Sequence, residues 1–400
     1  LGVWGAAPKN LKKMAIKIKK CFDGIVDHQN LYRAAHQTTL KGLRFRPQGA
    51  RWKWKMENHL FALRNELTSG NYRHSKYQSF TIYDPKCRTI LAAQLKDRVV
   101  HHAINNVIEP IVDRKFIGDS YACRQYKGQH LAMKEARRHL QACPYFIHLD
   151  VRKFFYNIHR KTLFQIISRT IKDEKTLNLI QEILDSSTRH AHFVPHAPQP
   201  FDLFNQTPPN DYNVSGYPNQ ERGIPIGNLC SQLFANWYLH ELDSFIKHKL
   251  KQSRYIRYMD DLVLFDSSKK RLQSIEAEIQ DFALVNLKLQ LHASGGPSLC
   301  SRGLTFLGFQ IHRTHIKMKS ESVKRFRKKL KLFLKEADLN SSDSFFDVLR
   351  RAQAWNAHAA HADSYGLRKS IFSQHPWTER MFEANFNELT LKTMWHDQVG

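Results

Sequence analysis

The segment RYMDDLVLF, residues 257–265, constrains this chain more than any other. Tyr255–Tyr258 and Leu262–Phe265 are aromatic or aliphatic throughout, apart from Arg257, and read as two short strands that both want burial. Asp260 and Asp261 sit at the bend between them, after Met259. Unit charges ~4 Å apart repel by about 1 kcal/mol in water and about 4 kcal/mol at an effective dielectric of 20. Any fold that holds this hairpin must therefore offer its tip a cation or water. Asp is common in turns, and the pair alone would be no more than a polar turn. A divalent cation removes the repulsion, and hard Mg²⁺ takes a few carboxylates together with substrate phosphates.

A third carboxylate joins the pair. Residues 145–151, YFIHLDV, alternate so that Tyr145, Ile147, Leu149 and Val151 share one strand face while His148 and Asp150 share the other. Phe154 and Phe155 follow, and as strand neighbours they would face opposite ways, Phe154 to the core. Three carboxylates on adjacent strands meet the need of two-metal phosphoryl transfer, in which a primer 3′-hydroxyl is activated and a leaving pyrophosphate neutralised.

The rest of the chain frames these strands. Helices are expected over Trp52–Leu67, Leu95–Ile111, from residue 229 to about Leu250, and Gln273–Asn286; strands over Phe80–Tyr83, Thr89–Leu91 and a pair around Leu304–Ile311. The order strand, helix, hairpin, helix, strand points to an α+β domain. Between the Asp150 strand and the next helix lies a long loop, His190–Arg222, with six prolines. Beyond Ser320 an apolar stripe of Val323, Phe326, Leu330, Phe333 and Leu334 is surrounded by Lys324, Arg325, Arg327, Lys328, Lys329, Lys331 and Lys335.

Charge names the class of partner. Lys and Arg number 62 against 36 Asp and Glu, a net charge of +26. Repulsion on that scale favours a polyanionic partner, and nucleic acid is the leading one. Residues 1–149 hold 27 Lys and Arg against 10 Asp and Glu, so +17 of the excess lies there. A hydrophobic fraction of 42% excludes a disordered chain. No run reaches the ~18 apolar residues of a membrane span, so a cytoplasmic protein is expected. Six cysteines without a C-x-x-C pair indicate free thiols rather than zinc or disulfides. His358 and His361 have no Cys or carboxylate cluster beside them in the sequence and are expected to pack or to be solvated rather than to bind metal.

D-x-x-x-F-F followed by Y-M-D-D resembles the palm of reverse transcriptases. SYACRQYKGQH (120–130), LKDRVVHHAI (95–104) and GLTFLGFQI (303–311) resemble, in turn, the segment before the palm, the fingers-to-palm helix and the primer-grip hairpin. Ile226-Gly227-x-x-x-Ser231-Gln232, the FDLFNQTPPN loop and AWNAHAAHADSYGLRK (354–369) are similar to enzymes of diversity-generating retroelements, where retroviral, retron and group II intron enzymes usually show Q-G-x-x-x-S-P.

The resemblance implies an α+β right-hand polymerase fold: a basic N-terminal extension (1–50), fingers (51–144), a palm (145–312) with the inserted loop 190–222, and a helical thumb (313–400). It implies that Asp150, Asp260 and Asp261, with the Val151 carbonyl, bind two Mg²⁺ ions, and that Phe155 is the gate that excludes a 2′-hydroxyl. Lys86 and Arg88 would clamp the triphosphate, with a plain surface charge the alternative for either one singly. Gly227 would let backbone approach template or nucleotide, and Gln232 would contact them, with Ser231 an alternative helix cap. Lys324, Arg327, Lys328 and Lys331 would meet the duplex; whether they bind nucleic acid or are simply solvated stays open.

Two departures stand out. Cys230 replaces the family's usual Thr, and residues 287–302 offer no clear lysine to protonate pyrophosphate, leaving Lys288 or His292. The implied partners are template RNA, an RNA–DNA duplex, dNTPs and a small basic accessory protein, in a bacterial or phage-encoded system that copies RNA with errors at template adenines. A retron-like or defence-associated enzyme and a non-catalytic RNA-binding protein are the alternatives.

Overall fold

The computed structural model describes residues 18–40, 47–83, 88–189, 221–336 and 342–373. Four helices come first among the described residues: α1 (Phe22–Ile25), α2 (His28–Thr39), α3 (Pro47–Trp54) and α4 (Met56–Thr68). The Asp27 carboxylate starts α2 by accepting the Asn30 N–H at 3.2 Å. The single helix expected over Trp52–Leu67 is two, broken at Lys55, whose backbone leaves the helical region. A hairpin follows, β1 (Gln78–Ile82) with β2 (Arg88–Ala92), antiparallel with Phe80 opposite Ile90. It leads into α5 (Leu95–Asp113) and α6 (Gln129–Ala142).

The Asp150 strand is β3 (Tyr145–Asp150). Phe154 and Phe155 are not on its continuation. Lys153 adopts a left-handed backbone (φ 44°) that ends the strand, and the two rings begin a single helical turn, α7 (Phe154–Asn157). Phe154 is still the core member, 2% exposed, and Phe155 is half-buried. Two helices come next, α8 (Arg160–Thr170) and α9 (Glu174–Arg189). Residues 190–220 of the expected loop lie outside the described residues.

The long helix after it, α10 (Leu229–Ser244), gives way to a π-helical turn over Phe245–Lys249 rather than continuing as α-helix to Leu250. Asn228, not Ser231, occupies its cap position, and Ser231 is buried inside its first turn. The hairpin that carries Asp260 and Asp261 is β4 (Tyr255–Tyr258) and β5 (Asp261–Asp266), followed by α11 (Lys269–Leu287) and β6 (Ser298–Leu299). The strand pair near 304–311 is a three-stranded meander, β7 (Leu304–Phe306), β8 (Phe309–Ile311) and β9 (Ile316–Met318). Three helices close the described chain: α12 (Ser320–Glu336), α13 (Ser342–Ala359) and α14 (Tyr365–Phe372).

The central sheet has the order β4-β5-β3-β6, and all its pairings are antiparallel. Both faces are covered. Ile147, Leu149, Leu262 and Leu264 join one core with α1, α2, α4, α5 and α8 to α11. Phe146, Ile256, Val263 and Phe265 join a second core with α6, the meander and α12 to α14. Burial on both sides explains why LVLF is continuously apolar instead of alternating. The first core extends to Ile18, whose N–H bonds the Thr170 carbonyl at 2.9 Å, so residues 18–39 pack with α5 and α8. Among the described residues no helix is long and apolar enough to cross a membrane.

Candidate active site

Register brings the three carboxylates to one end of the sheet. Asp150 ends β3 opposite Asp261, which begins β5, and Asp261 is also opposite Tyr258 of β4. The turn between β4 and β5 is Met259–Asp260, with Met259 in the left-handed region (φ 55°). The Asp260 carbonyl accepts the Val151 N–H at 3.3 Å, tying the hairpin tip to the residue after Asp150.

The electrostatics are those of a half-buried acidic cluster. Burial pushes the Asp260 carboxyl up to about 6, and the charges of Asp150 and Asp261 push the same way. A hydrogen bond to its own backbone and the positive charge of Arg88 pull against them. Arg88, on β2, thus faces the same site from the hairpin. Two histidines touch the other carboxylates: His148 Nε2 lies 3.1 Å from Asp261 Oδ1, and His292 Nε2 lies 3.7 Å from Asp150 Oδ2. Among the described residues no three His, Cys, Asp or Glu side chains converge tightly enough to hold an ion as they stand. The three carboxylates are nonetheless hard oxygen donors, and Asp150 and Asp261 both disfavour the ionised form of Asp260, which fits a hard divalent cation.

The second group of expected residues gathers beside it. The Phe155 carbonyl accepts the Ile224 N–H at 2.9 Å, and the Leu91 N–H donates to the Ile226 carbonyl at 3.0 Å, so the 224–228 turn is stitched to both α7 and β2. Gly227 is exposed with φ 110°, and a Cβ there would lie 2.7 Å from Ile90 Cγ2. Gly227→Ala is expected to destabilise the fold by about 1–3 kcal/mol through backbone strain, read as a lower urea midpoint; an unchanged midpoint would mean that the turn relaxes freely. Gln232 is exposed on the first turn of α10. Cys230 is fully buried, its sulfur 3.3 Å from Asn105 Oδ1. Lys86 lies outside the described residues.

Of the two candidates for protonating pyrophosphate, Lys288 ends α11 with a left-handed backbone and donates to the Val285 carbonyl at 2.9 Å. His292 is the one beside the carboxylates. Lys324, Arg327, Lys328 and Lys331 are all exposed on α12, while Val323 and Leu330 are buried and Phe326 stacks on Trp355 at 4.1 Å. His358 is half-buried against Phe309 with ring centroids 4.7 Å apart, and His361 is exposed, stacked on His130.

Sequence reasoning did not single out His148, Asn236, Asp243 or Arg257. His148 shares the Asp150 face by strand alternation, which was its signal. Arg257 is a lone charge in an apolar strand, and its side chain is fully buried.

The family model described as reverse transcriptase (RNA-dependent DNA polymerase) matches residues 82–311, more than half of the chain. This chain belongs to the reverse transcriptase family. The match runs from β1 through the hairpin to β8, and the mixed helix-and-strand architecture is the polymerase fold of that family. Reverse transcriptases are RNA-directed DNA polymerases and use divalent metal ions.

Protein YkfC of Escherichia coli (strain K12) is 23% identical over 294 residues, covering 63% of this chain and 70% of that protein. The group II intron-encoded protein LtrA of Lactococcus lactis subsp. cremoris is 28% identical over 161 residues, 40% of this chain and 23% of that protein. The chain therefore spans most of the first relative and about a quarter of the second. Among solved structures, a chain of a partial Cas6-RT-Cas1–Cas2 complex is 17% identical with a TM-score of 0.36, covering 66% of this chain and 42% of that one.

Proposed function

We propose that this reverse transcriptase copies template RNA into cDNA with Asp150, Asp260, Asp261 and the Val151 carbonyl holding two Mg²⁺ ions. The observation that carries this reading is the register that places Asp150 opposite Asp261, with Asp260 next to it in the turn, at one end of the sheet, where burial and the other two carboxylates hold Asp260 up to about 6. When bound, the ions supply activation of the primer 3′-hydroxyl and neutralisation of the leaving pyrophosphate. The protein's own groups do the positioning: Arg88, with Lys86, binds triphosphate, Phe155 closes the space beneath the sugar, and Gly227 and Gln232 border the nucleotide and template. The chain is divided into fingers (51–144), palm (145–312) and thumb (313–400), with the loop 190–222 as an insertion and a basic extension 1–50 whose residues 18–39 dock on the first core.

The exposed basic face of α12 meets the RNA–DNA duplex. Replacing Lys324, Arg327, Lys328 and Lys331 by Gln is expected to weaken duplex binding and to flatten its dependence on log salt by about 1 for each phosphate that is no longer neutralised. Fluorescence anisotropy between low and high salt reads this, and an unchanged slope would assign these charges to solvent. A cleft of about 1290 Å³ is lined by Arg51, Trp52, Trp54, Lys55, His59 and Lys96, none of them a member of the carboxylate site. Trp54 is 88% exposed there, and an aromatic beside cations suits RNA held outside the catalytic cleft.

Ile226-Gly227-x-x-x-Ser231-Gln232 and the 354–369 segment support the diversity-generating subtype, a cytoplasmic, bacterial or phage-encoded enzyme that works with a small basic accessory protein. The test is to sequence cDNA made on a defined RNA with Mg²⁺ and all four dNTPs. Errors concentrated at template adenines are expected. An even error spectrum would leave a reverse transcriptase of the intron type, and no cDNA at all would make the chain an RNA-binding protein on this fold.

A further inference from the structure

Behind the hairpin tip lies a buried ionic network that no step of nucleotide transfer uses directly. The Arg257 side chain, on β4, and its partner Asp243, on α10, are both completely inaccessible. Arg257 Nε and Nη2 donate to the two Asp243 oxygens at 2.8 and 2.7 Å, a forked pair. Nη1 donates to Asn236 Oδ1 and to the Met259 carbonyl, both at 3.0 Å. Tyr255 donates its hydroxyl to Asp243 Oδ1 at 2.8 Å, and Asn236 donates to the Ala122 carbonyl at 2.8 Å. The Arg257 backbone is pinned as well, its N–H to the Asp119 carbonyl and its carbonyl to the Tyr121 N–H, both at 2.9 Å.

A buried ion pair is a poor device for stability alone, because desolvation cancels most of its attraction and apolar residues of similar volume often do as well. What this one adds is direction. The Met259 carbonyl belongs to the peptide that enters Asp260, and Met259 is held in a left-handed backbone that non-glycine residues disfavour. The Asp260 carbonyl is held on its other side by the Val151 N–H. With both peptides fixed, the backbone from which the Asp260 side chain leaves is set, and only its own staggered rotamers remain to choose among. The supports of Arg257 come from α10, which carries Gln232 at its opening turn and Asn236 and Asp243 further along.

We infer that Arg257 is a positioning residue for the metal-binding turn, acting through the Met259 carbonyl and aligned by Asp243 and Asn236. This rests on the polymerase reading above, in which Asp260 is a metal ligand. It makes the tip of the sheet and the nucleotide-facing helix one rigid unit.

The test uses the full chain in which Arg257→Met, Asp243→Leu and Tyr255→Phe are combined, so that no charge or hydroxyl of the network is left buried without its partner. Circular dichroism and thermal unfolding establish that it folds. Mn²⁺ affinity, read by electron paramagnetic resonance with no nucleotide present, is expected to fall by about 10- to 100-fold. The kcat for dNTP incorporation is expected to fall on the order of 10²-fold, with duplex binding retained. Arg257→Lys keeps a charge for Asp243 but cannot fork to it while reaching Asn236 and Met259, and should fall between. A folded triple variant with wild-type Mn²⁺ affinity and wild-type kcat overturns the assignment. A wild-type chain that binds Mn²⁺ and incorporates no dNTP overturns the polymerase reading instead, and the Mn²⁺ comparison still decides the role of Arg257.

Discussion

Asp260→Asn should abolish Mg²⁺-dependent dNTP incorporation, by roughly 10³-fold or more, and at the same time make the metal-free protein more stable. The two effects share one cause. Burial and the charges of Asp150 and Asp261 raise the folded-state value of Asp260 to about 6 from an ordinary 3.8. A carboxyl shifted upward costs folding stability once the pH exceeds the unfolded value, and the cost grows to its full size above the folded value. At neutral pH and without metal this amounts to on the order of 3 kcal/mol. Lowering the pH from 7 towards 4 should therefore stabilise the wild type through this group and leave Asp260→Asn without that gain. Added Mg²⁺ should raise the unfolding temperature of the wild type and not of the variant. Calorimetry across pH with and without Mg²⁺ checks all three. A variant that unfolds at a lower temperature than the metal-free wild type would show that Asp260 is held by attractions rather than by crowding.

Phe155→Val should change what is polymerised more than how fast. The ring is half-buried at the start of α7, packed edge-on against Phe154 with centroids 5.5 Å apart, and its carbonyl is bonded to the irregular segment leading to Gly227. Trimming it opens space beside the sugar without removing the core ring, Phe154. The preference for dGTP over GTP, as a ratio of kcat/KM, should fall by on the order of 10²-fold, while the poorer packing costs about 2 kcal/mol or less. An unchanged ratio in a folded variant would assign Phe155 to packing alone.

How far the sequence showed this site depends on the range of the contacts involved. The hairpin was legible because LVLF is apolar at four consecutive positions and the two aspartates interrupt that run. The face shared by His148 and Asp150 followed from strand alternation. Their neighbours did not, because the His148–Asp261 contact spans 113 residues and needs the register of β3 on β5. Arg257 and Asp243 are only 14 residues apart, yet they lie on a strand and a helix whose packing no local pattern states. Phe154 and Phe155 show the opposite limit: Phe154 proved to be the core ring, but the period was helical because Lys153 turns left-handed first. Helices α8 and α9 carry plain stripes, Leu163, Ile166 and Ile167 in one and Leu179, Ile180, Ile183 and Leu184 in the other, beside a loop whose prolines dominate the local pattern. The three-residue strand β9 is too short to show a period at all.

The central sheet is a party wall. Because one face belongs to α1, α2, α4, α5 and α8 to α11 and the other to α6, the meander and the last three helices, neither side of β5 is free to yield. A substitution deep in either half, far from any carboxylate, reaches the hairpin tip through the backbone that both halves share. Defects in the polymerase can therefore arise from the quietest apolar positions of the chain, and a variant at Leu262 or Val263 would injure through opposite neighbourhoods the same three oxygen-bearing side chains.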